Sequence, residues 1–375
     1  MSWSDRFLAV RDRWLSSPRF QRWAAAFPLT RPTARRRARA LFDVCAGFVY
    51  SQILFACVRL KLFELLAAEP LTAATIAERL NLPLDSTSRL LDAAESLRLV
   101  ERRGADRFGL GDLGAALVGN PGVGAMIEHH SLLYADLHDP VGLLRGDRRQ
   151  TELAKYWAYA ASDRPASLGS AQTAEYTALM ANSQPLVAGE ILDAFALTKH
   201  QCLLDVGGGD GTFLIEASKR APSLNLILFD LPPVAASAAK RFESLGLSAR
   251  ARALGGDFFK DPLPEGADVI SLVRVVHDHD DTAVAILLRA AYRALPAKGV
   301  LLLAEPMMET PGAKAVGSAY FGFYLLAMGR GKPRTPGDLR QMLLAAGFAT
   351  AQLVHTHQPL QTGLIVARKA AAKPH

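Results

Sequence analysis

Leu203-Leu204-Asp205-Val206-Gly207-Gly208-Gly209-Asp210-Gly211 decides the fold. An apolar run ends in an acid, and glycines follow at every second position, 207, 209 and 211. Two further marks stand downstream: Leu226-Ile227-Leu228-Phe229-Asp230, again an apolar run closed by an acid, and Gly255-Gly256-Asp257-Phe258 after a third run. Strand, glycine turn, helix, strand, acid is the order of a nucleotide-binding α/β unit, whose ligands sit beyond the carboxyl ends of the strands. The glycines let the backbone pass close to a ligand, and Asp230 suits two ribose hydroxyls. The dinucleotide fingerprint places its third glycine or alanine three residues after the second. Here that position is Thr212, so a nucleoside-type cofactor is expected; a tight strand-to-helix turn with no ligand is the alternative.

Outward from this turn, strands are predicted at 202–206, 225–229, 251–254, 268–273 and 299–304, with helices between them and turn residues such as Pro222, Gly246, Pro262 and Gly299 where the chain reverses. After a helix at 338–346, segments 352–357 and 364–367 read as a closing pair. An α/β domain thus spans 191–375. Val275-Val276-His277-Asp278-His279-Asp280-Asp281 follows the fourth strand at the carboxyl edge, where the cofactor acids also lie. A histidine there can act as a general base, because its ordinary pKa is close to neutral. Glu305 ends the fifth strand on the same edge and can hold one imidazole nitrogen. A helix-capping loop or a metal site is the competing reading of the His-Asp-His-Asp run.

Upstream, Thr72 can cap a helix through Leu80, Asn81-Leu82-Pro83 turns the chain, and Asp85 can cap a second helix to about Leu97. A hairpin around Gly104-Ala105-Asp106 completes a winged helix over 41–118. Its second helix sets Arg89 and Arg98 against Asp85, Asp92 and Glu95, too acidic for a DNA-reading helix; dimerisation or packing is expected, with no nucleic-acid partner. Residues 119–190 form a helical linker carrying His129-His130, Tyr134 and Lys155-Tyr156-Trp157. The two histidines are too close for a metal-binding helix face, so no metal is expected, and they read as active-site mouth or core. Tyr176 and Met180, one helical turn apart, line a pocket or a core.

The chain has 375 residues, half of them apolar, and seven excess positive charges, which implies a soluble protein of two domains. Cys45, Cys57 and Cys202 lie in apolar runs and read as buried thiols of a reducing, cytoplasmic compartment. Val44–Val58 is short for a membrane span and reads as part of a helix buried on most sides. Residues 1–40 form a separate arm, with ten arginines against Asp5 and Asp12, and with Trp3, Phe7, Trp14, Phe20, Trp23 and Phe27 among them. That mixture suits a bilayer surface; nucleic acid, or an arm packed on its own protein or a partner, are the alternatives.

Asp205-Val-Gly-Gly-Gly-Asp-Gly211, Phe229-Asp-Leu-Pro232, Gly256-Asp-Phe-Phe259 and Arg274-Val-Val-His-Asp278, in this order behind a winged helix, resemble the S-adenosylmethionine-dependent O-methyltransferases of the plant caffeate and hydroxyindole type over residues 41–368. The resemblance implies a Rossmann-like seven-stranded sheet with a closing antiparallel strand, and a homodimer joined through the winged helices. It implies that the turn of Gly207, Gly209 and Gly211 cradles the methionine part of S-adenosylmethionine, Asp230 the ribose, and Asp257 with Phe258 the adenine, with Asp205 and Leu231 also in the cofactor-binding set. Arg274 belongs to the same cofactor-binding set, and His277 is the base, supported by Glu305. One departure stands out: plant members carry an acid before a late Arg-Thr pair, whereas Pro333 precedes Arg334-Thr335 here, so a second helper carboxylate is missing at that place.

Within that family, Pro18-Arg-Phe-Gln-Arg-Trp23, Ala34–Phe42, Phe48-Val-Tyr-Ser-Gln52 and His138–Gly146 resemble the bacterial carotenoid branch, which acts on demethylspheroidene (hydroxyneurosporene)-type acceptors. This implies methylation of the C-1 tertiary hydroxyl of an acyclic hydroxy-carotenoid. A bacteriochlorophyllide C-20 or phenolic methyltransferase is the alternative, and a winged-helix DNA-binding regulator a third. A tertiary alcohol is too weakly acidic to ionise beforehand, so His277 takes the proton late, as the C–O bond forms. The polyene needs an apolar channel. Ser318–Met328 is the expected wall, with Phe321 and Tyr324, and Tyr134, Tyr176 and Met180 join the pocket; a plain core helix is the alternative. A lipid-soluble acceptor gives the arm a purpose, peripheral contact with the inner membrane.

Overall fold

The computed structural model describes residues 2–146, 150–157, 170–359 and 362–371, and only the backbone of 170–178. The chain forms two compact units, 1–119 and 120–375.

In the second unit, strands β4 (Cys202–Val206), β5 (Asn225–Asp230), β6 (Ala251–Gly255), β7 (Val269–Val273), β8 (Val300–Glu305), β9 (Thr350–Val354) and β10 (Gly363–Arg368) form one sheet. Their spatial order is β6-β5-β4-β7-β8-β10-β9. β10 runs antiparallel to both neighbours, and the pairs among β4 to β8 are parallel. This is the expected seven-stranded sheet.

The strands are apolar almost throughout because both faces are covered. Leu204, Ile227, Ile270 and Leu301 point into one core with α14 (Asp281–Ala294) and α16 (Pro336–Ala345). Leu203, Leu226, Val269 and Leu302, one residue away on each strand, point into the other, with α11 (Ser170–Ala194), α12 (Thr212–Arg220) and α13 (Pro232–Ser244). That alternation is the period-two geometry of a strand. Each leucine so buried contributes about 1.5–3 kcal/mol. The chain winds from β4 to β6, then returns to β7 on the other side of β4, and the reversal opens a crevice at the carboxyl ends of β4 and β7.

Ahead of the sheet lie α8 (Pro121–Asp136), α9 (Pro140–Arg145) and α10 (Glu152–Tyr156). Asp136 fixes the start of α10 by accepting the Glu152 and Leu153 N–H groups at 2.8 and 2.9 Å. After β8, residues Val316–Phe321 wind as a π-helix into α15 (Gly322–Met328).

The first unit begins with α1 (Trp3–Leu15), α2 (Pro18–Ala26), α3 (Arg31–Arg59) and α4 (Leu62–Ala68). The winged helix follows: β1 (Leu71–Thr72), α5 (Ala73–Leu80), α6 (Leu84–Ser96), β2 (Val100–Arg103) and β3 (Arg107–Leu110), then α7 (Asp112–Val118). Thr72 caps α5 as expected. Pro83, not Asp85, precedes the first residue of α6; its carbonyl accepts the Thr87 N–H, and Asp85 sits inside the first turn, where a carboxylate favours the helix dipole. Arg102 lies 4.7 Å over the Phe108 ring and bonds Asp92 and Glu95, pinning the wing to α6.

Two expectations are corrected. Helix α3 is not buried on most sides: Cys57 is its one buried residue, while Leu41, Phe42, Val44 and Phe48 are 65–80% exposed. Among the described residues it is the one helix long and apolar enough to cross a membrane. Cys45, on the same helix, is exposed rather than buried; Cys57 and Cys202 are buried. Apolar composition marked these positions as core, but within one chain α2, α4 and α6 pack against α3 and leave Leu41, Phe42, Val44 and Phe48 uncovered.

Candidate active site

The glycine turn leaves β4 at Gly207 and enters α12 at Thr212. Gly207, Gly209 and Gly211 have φ of 70°, 60° and 83°, left-handed values that favour glycine. At Gly211 a side chain is also excluded by space, since a Cβ would stand 2.6 Å from the Phe242 ring. Thr212, where a dinucleotide fold would have glycine, turns its hydroxyl to Asp210 at 2.8 Å, and Arg241 ties both residues down.

Two acids flank the turn. Asp230 ends β5, accepts the Gly209 N–H at 2.8 Å and the Leu231 N–H at 2.7 Å, and keeps a lone pair on each oxygen. Burial pushes it up to about 6. Asp205 is buried; its Oδ1 accepts from Ser271 at 2.6 Å, while its Oδ2 has no hydrogen-bond partner and lies against the turn at Gly208. Burial raises Asp205 to about 7. A buried acceptor without a donor, beside a backbone cradle and a carboxylate with free lone pairs, fits a cationic ligand that bears ribose hydroxyls.

The other predicted cofactor residues are placed as follows. Asp257 is buried; it accepts the Phe259 N–H at 3.0 Å and pairs with Lys260 at 3.0 Å. Phe258 meets Phe259 and His279 edge-on. Arg274, at φ 56°, reaches Ser183, the Met180 carbonyl and Gln184 and so ties α11 to the sheet edge. Met180 is half-buried beside it, and the Tyr176 side chain lies outside the described residues.

His277 sits in a 3-10 turn, Val276–Asp278, just past β7, and is 9% exposed. Glu305 ends the neighbouring β8. Its Oε1 accepts the Val275 and Val276 N–H groups at 3.0 and 2.6 Å, and its Oε2 accepts from His277 Nδ1. One carboxylate therefore fixes both the turn and the imidazole. Nε2 faces Asp278 Oδ1 at 3.1 Å, a partner that sequence reasoning missed although the two residues are adjacent. Burial by itself lowers an imidazole's pKa; Asp278 and Glu305 overcome it and hold His277 up at about 9. Burial also raises Asp278, to about 6. Arg334, beside the departing Pro333, is a buried clamp behind this turn: it bonds the Val276 and His279 carbonyls and Asp281.

Of the segment Ser318–Met328, Phe321 meets this centre. Phe321 stands edge-on to His277 with centroids 6.2 Å apart, and stacks edge-on with Tyr320. Tyr324 is buried, its hydroxyl 2.8 Å from His129 Nε2 and 3.4 Å from Trp157 Nε1; Tyr320 bonds His130 Nε2 at 2.6 Å. Tyr134 is half-buried with its ring 6.1 Å from that of His130. Burial lowers both histidines, His129 to about 4, so both are neutral at pH 7. The tyrosine hydroxyls are thus tied off on α8; Phe321 turns its ring to His277, while Tyr324 packs in a buried cluster with Leu133, Leu153, Trp157 and Met328. Sequence reasoning noted His129 and His130 without their partners, which lie 195 and 190 residues downstream.

Residues 134–349 match the O-methyltransferase domain, and residues 42–120 the O-methyltransferase dimerisation domain. The chain belongs to the O-methyltransferase family. It is 38% identical to demethylspheroidene O-methyltransferase of Cereibacter sphaeroides over 96% of this chain and 95% of that protein. It is 41% identical to the protein of the same name from Rhodobacter capsulatus over 91% and 85%. The crystal structure of human N-acetylserotonin methyltransferase in complex with S-adenosylmethionine superposes with a TM-score of 0.73 at 26% identity, covering 89% of this chain and 98% of that one. The family assignment makes this chain an S-adenosylmethionine-dependent O-methyltransferase that pairs as a homodimer.

Proposed function

We propose that the enzyme methylates the C-1 tertiary hydroxyl of an acyclic hydroxy-carotenoid of the demethylspheroidene type. The carrying observation is the likeness to two demethylspheroidene O-methyltransferases over more than nine-tenths of the chain. The ring-faced wall of Tyr320, Phe321 and Tyr324, with both tyrosine hydroxyls engaged elsewhere, supports an acceptor that is almost wholly hydrocarbon.

S-adenosylmethionine supplies a methyl group already activated on its sulfonium. Gly207, Gly209 and Gly211 with Asp205, Asp230 and Leu231 would hold it, and Asp257 with Phe258 would border the adenine; Arg274 acts there by holding α11. Phe321 and Tyr324, with Tyr134 and Met180, line the acceptor pocket, align the hydroxyl and exclude water. His277 takes the acceptor proton at Nε2, while Glu305 keeps Nδ1 protonated and the ring fixed. Because Asp278 and Glu305 hold the resting imidazole charged, the neutral, competent form gains population as pH rises toward about 9.

We divide the chain into the arm 1–40, the winged-helix dimerisation domain 41–118, the helical linker 119–190 and the methyltransferase domain 191–375. The exposed α3 residues Leu41, Phe42, Val44 and Phe48 are covered by the second subunit. Acids on α6, two of them engaged by Arg102, support a winged helix that does not read DNA. The enzyme is cytoplasmic and meets the inner membrane peripherally through residues 1–40.

Labelled methyl transfer from S-adenosylmethionine to a 1-hydroxy carotenoid, a bacteriochlorophyllide and a catechol tests this reading. Label on the carotenoid alone is expected; label on either other acceptor in its place overturns the substrate.

A further inference from the structure

We propose that α1 is an interfacial anchor that lies in the plane of an anionic bilayer with Trp3, Phe7, Val10 and Trp14 inserted among the acyl chains. This deepens the reading of residues 1–40 as the membrane contact, and names its face and its lipid.

The helix is built to stand ordered at the end of the chain. Ser2 and Asp5 form a capping box, the Ser2 hydroxyl accepting the Asp5 N–H at 3.2 Å and Asp5 Oδ2 accepting the Ser2 N–H at 2.9 Å. None of its residues is buried. Trp3, Phe7, Val10 and Trp14 follow one another at spacings of four, three and four, which puts them on one stripe. They are 90%, 70%, 56% and 60% exposed. On the same helical projection Arg6 and Arg13 flank the stripe on one side and Arg11 on the other, while both acids, Asp5 and Asp12, fall on the far side. Arg11 pairs with Asp12 at 2.7 Å in an exposed contact that headgroup phosphates can replace.

The strip does not end with the helix. Trp14 meets Phe20 edge-on at 5.5 Å, and Phe20, Trp23 and Phe27 continue it along α2 with Arg19 and Arg22 beside them. Large rings between arginines, with carboxylates on the opposite pole, complement an apolar interior under a negative surface.

Other occupants fit less well. Phosphates of a nucleic acid would satisfy the arginines and leave four large apolar side chains in water. A second copy of the same face would set arginine against arginine. The dimerisation match begins at residue 42, so it takes in Phe42, Val44 and Phe48 of α3 and leaves α1 out.

Flotation of the full-length protein tests the anchor, using vesicles of phosphatidylcholine alone and of equal parts phosphatidylcholine and phosphatidylglycerol, with gel filtration of every variant. The wild type should float with the anionic vesicles and stay behind with the neutral ones. Phe7→Glu should cut flotation at least tenfold, and the triple change Arg6→Ser, Arg11→Ser, Arg13→Ser on the order of a hundredfold. Both variants should remain dimers and still methylate a detergent-dispersed carotenoid. Equal flotation with both lipids, no flotation, or undiminished flotation of Phe7→Glu overturns the anchor. Dissociation of Phe7→Glu into monomers also overturns it and gives the stripe to the second subunit. Wild type that floats as expected but labels only a bacteriochlorophyllide or catechol keeps the anchor and removes the carotenoid.

Discussion

At the cofactor edge, Asp205, the glycine turn and Asp230 come from two adjacent strands and the turn between strand and helix. At the acceptor wall, His129 and Tyr324 meet across 195 residues, and His130 and Tyr320 across 190. The first region is a polar cradle shaped by backbone; the second is a set of rings whose hydroxyls are satisfied by the two histidines of α8. The contrast separates binding from selection. On the proposed reading, Asp205, Asp230 and the glycines would address groups that every S-adenosylmethionine carries, whereas Phe321 and the tied-off tyrosines would address the acceptor. His277 stands between the two, held by Glu305 on the sheet side and facing the Phe321 ring on the other.

The sharpest break of that picture is His277→Ala. It removes the proposed proton acceptor and leaves both regions intact, so kcat should fall about 10²–10⁴-fold, with binding of S-adenosylmethionine by calorimetry unchanged. Carotenoid transfer that survives the change would take His277 out of the chemistry.

A substitution confined to the cradle should act on binding. Gly211→Ala strains a left-handed residue and drives a methyl group into the Phe242 ring. A loss of about 1–3 kcal/mol of stability and weaker cofactor binding are expected, read by thermal unfolding with and without S-adenosylmethionine.

The wall is sharpened by Tyr324→Phe. It keeps the ring but strips His129 Nε2 of its buried partner, at a cost of about 1–3 kcal/mol. KM for the carotenoid should change more than the affinity for S-adenosylmethionine. Equal effects on both would mean that the two regions are not separate.

The pH profile probes the residue between them. His277 is raised above the ordinary imidazole value, so the stability of its charged form is complete below 6.5 and lost as pH rises through about 9. The same titration frees the base, and kcat/KM should climb over that window. Asp278→Asn removes one charge that holds the proton, so the rising limb should move to lower pH. A profile unmoved by that change would exclude Asp278 from the tuning.

The smallest effect is a thiol count. In the homodimer a maleimide should spare Cys45, which lies among the α3 residues that the second subunit covers, as well as Cys57, whose thiol burial pushes up to about 12, and buried Cys202. Labelling of Cys45 in the intact dimer would overturn that coverage of α3.

Much of this was legible in the chain. Glycine at 207, 209 and 211 after an apolar strand, acids closing successive strands, and a histidine followed by Asp278 at the fourth strand end are local signals, because strand ends on one edge are fixed by connectivity alone. Sequence therefore determined the order of elements, the cofactor edge and the placing of His277 with Glu305. It misjudged α3, since composition reports how apolar a segment is and not whether the same chain covers it. Only the tertiary structure decided that Asp278 faces Nε2, that Arg274 reaches back to α11, and that Arg334 braces the His277 turn. The joining of Tyr320 and Tyr324 to the two histidines of α8 was likewise decided there. Such pairings depend on how distant helices pack, and nothing in the local pattern of either partner specifies the other.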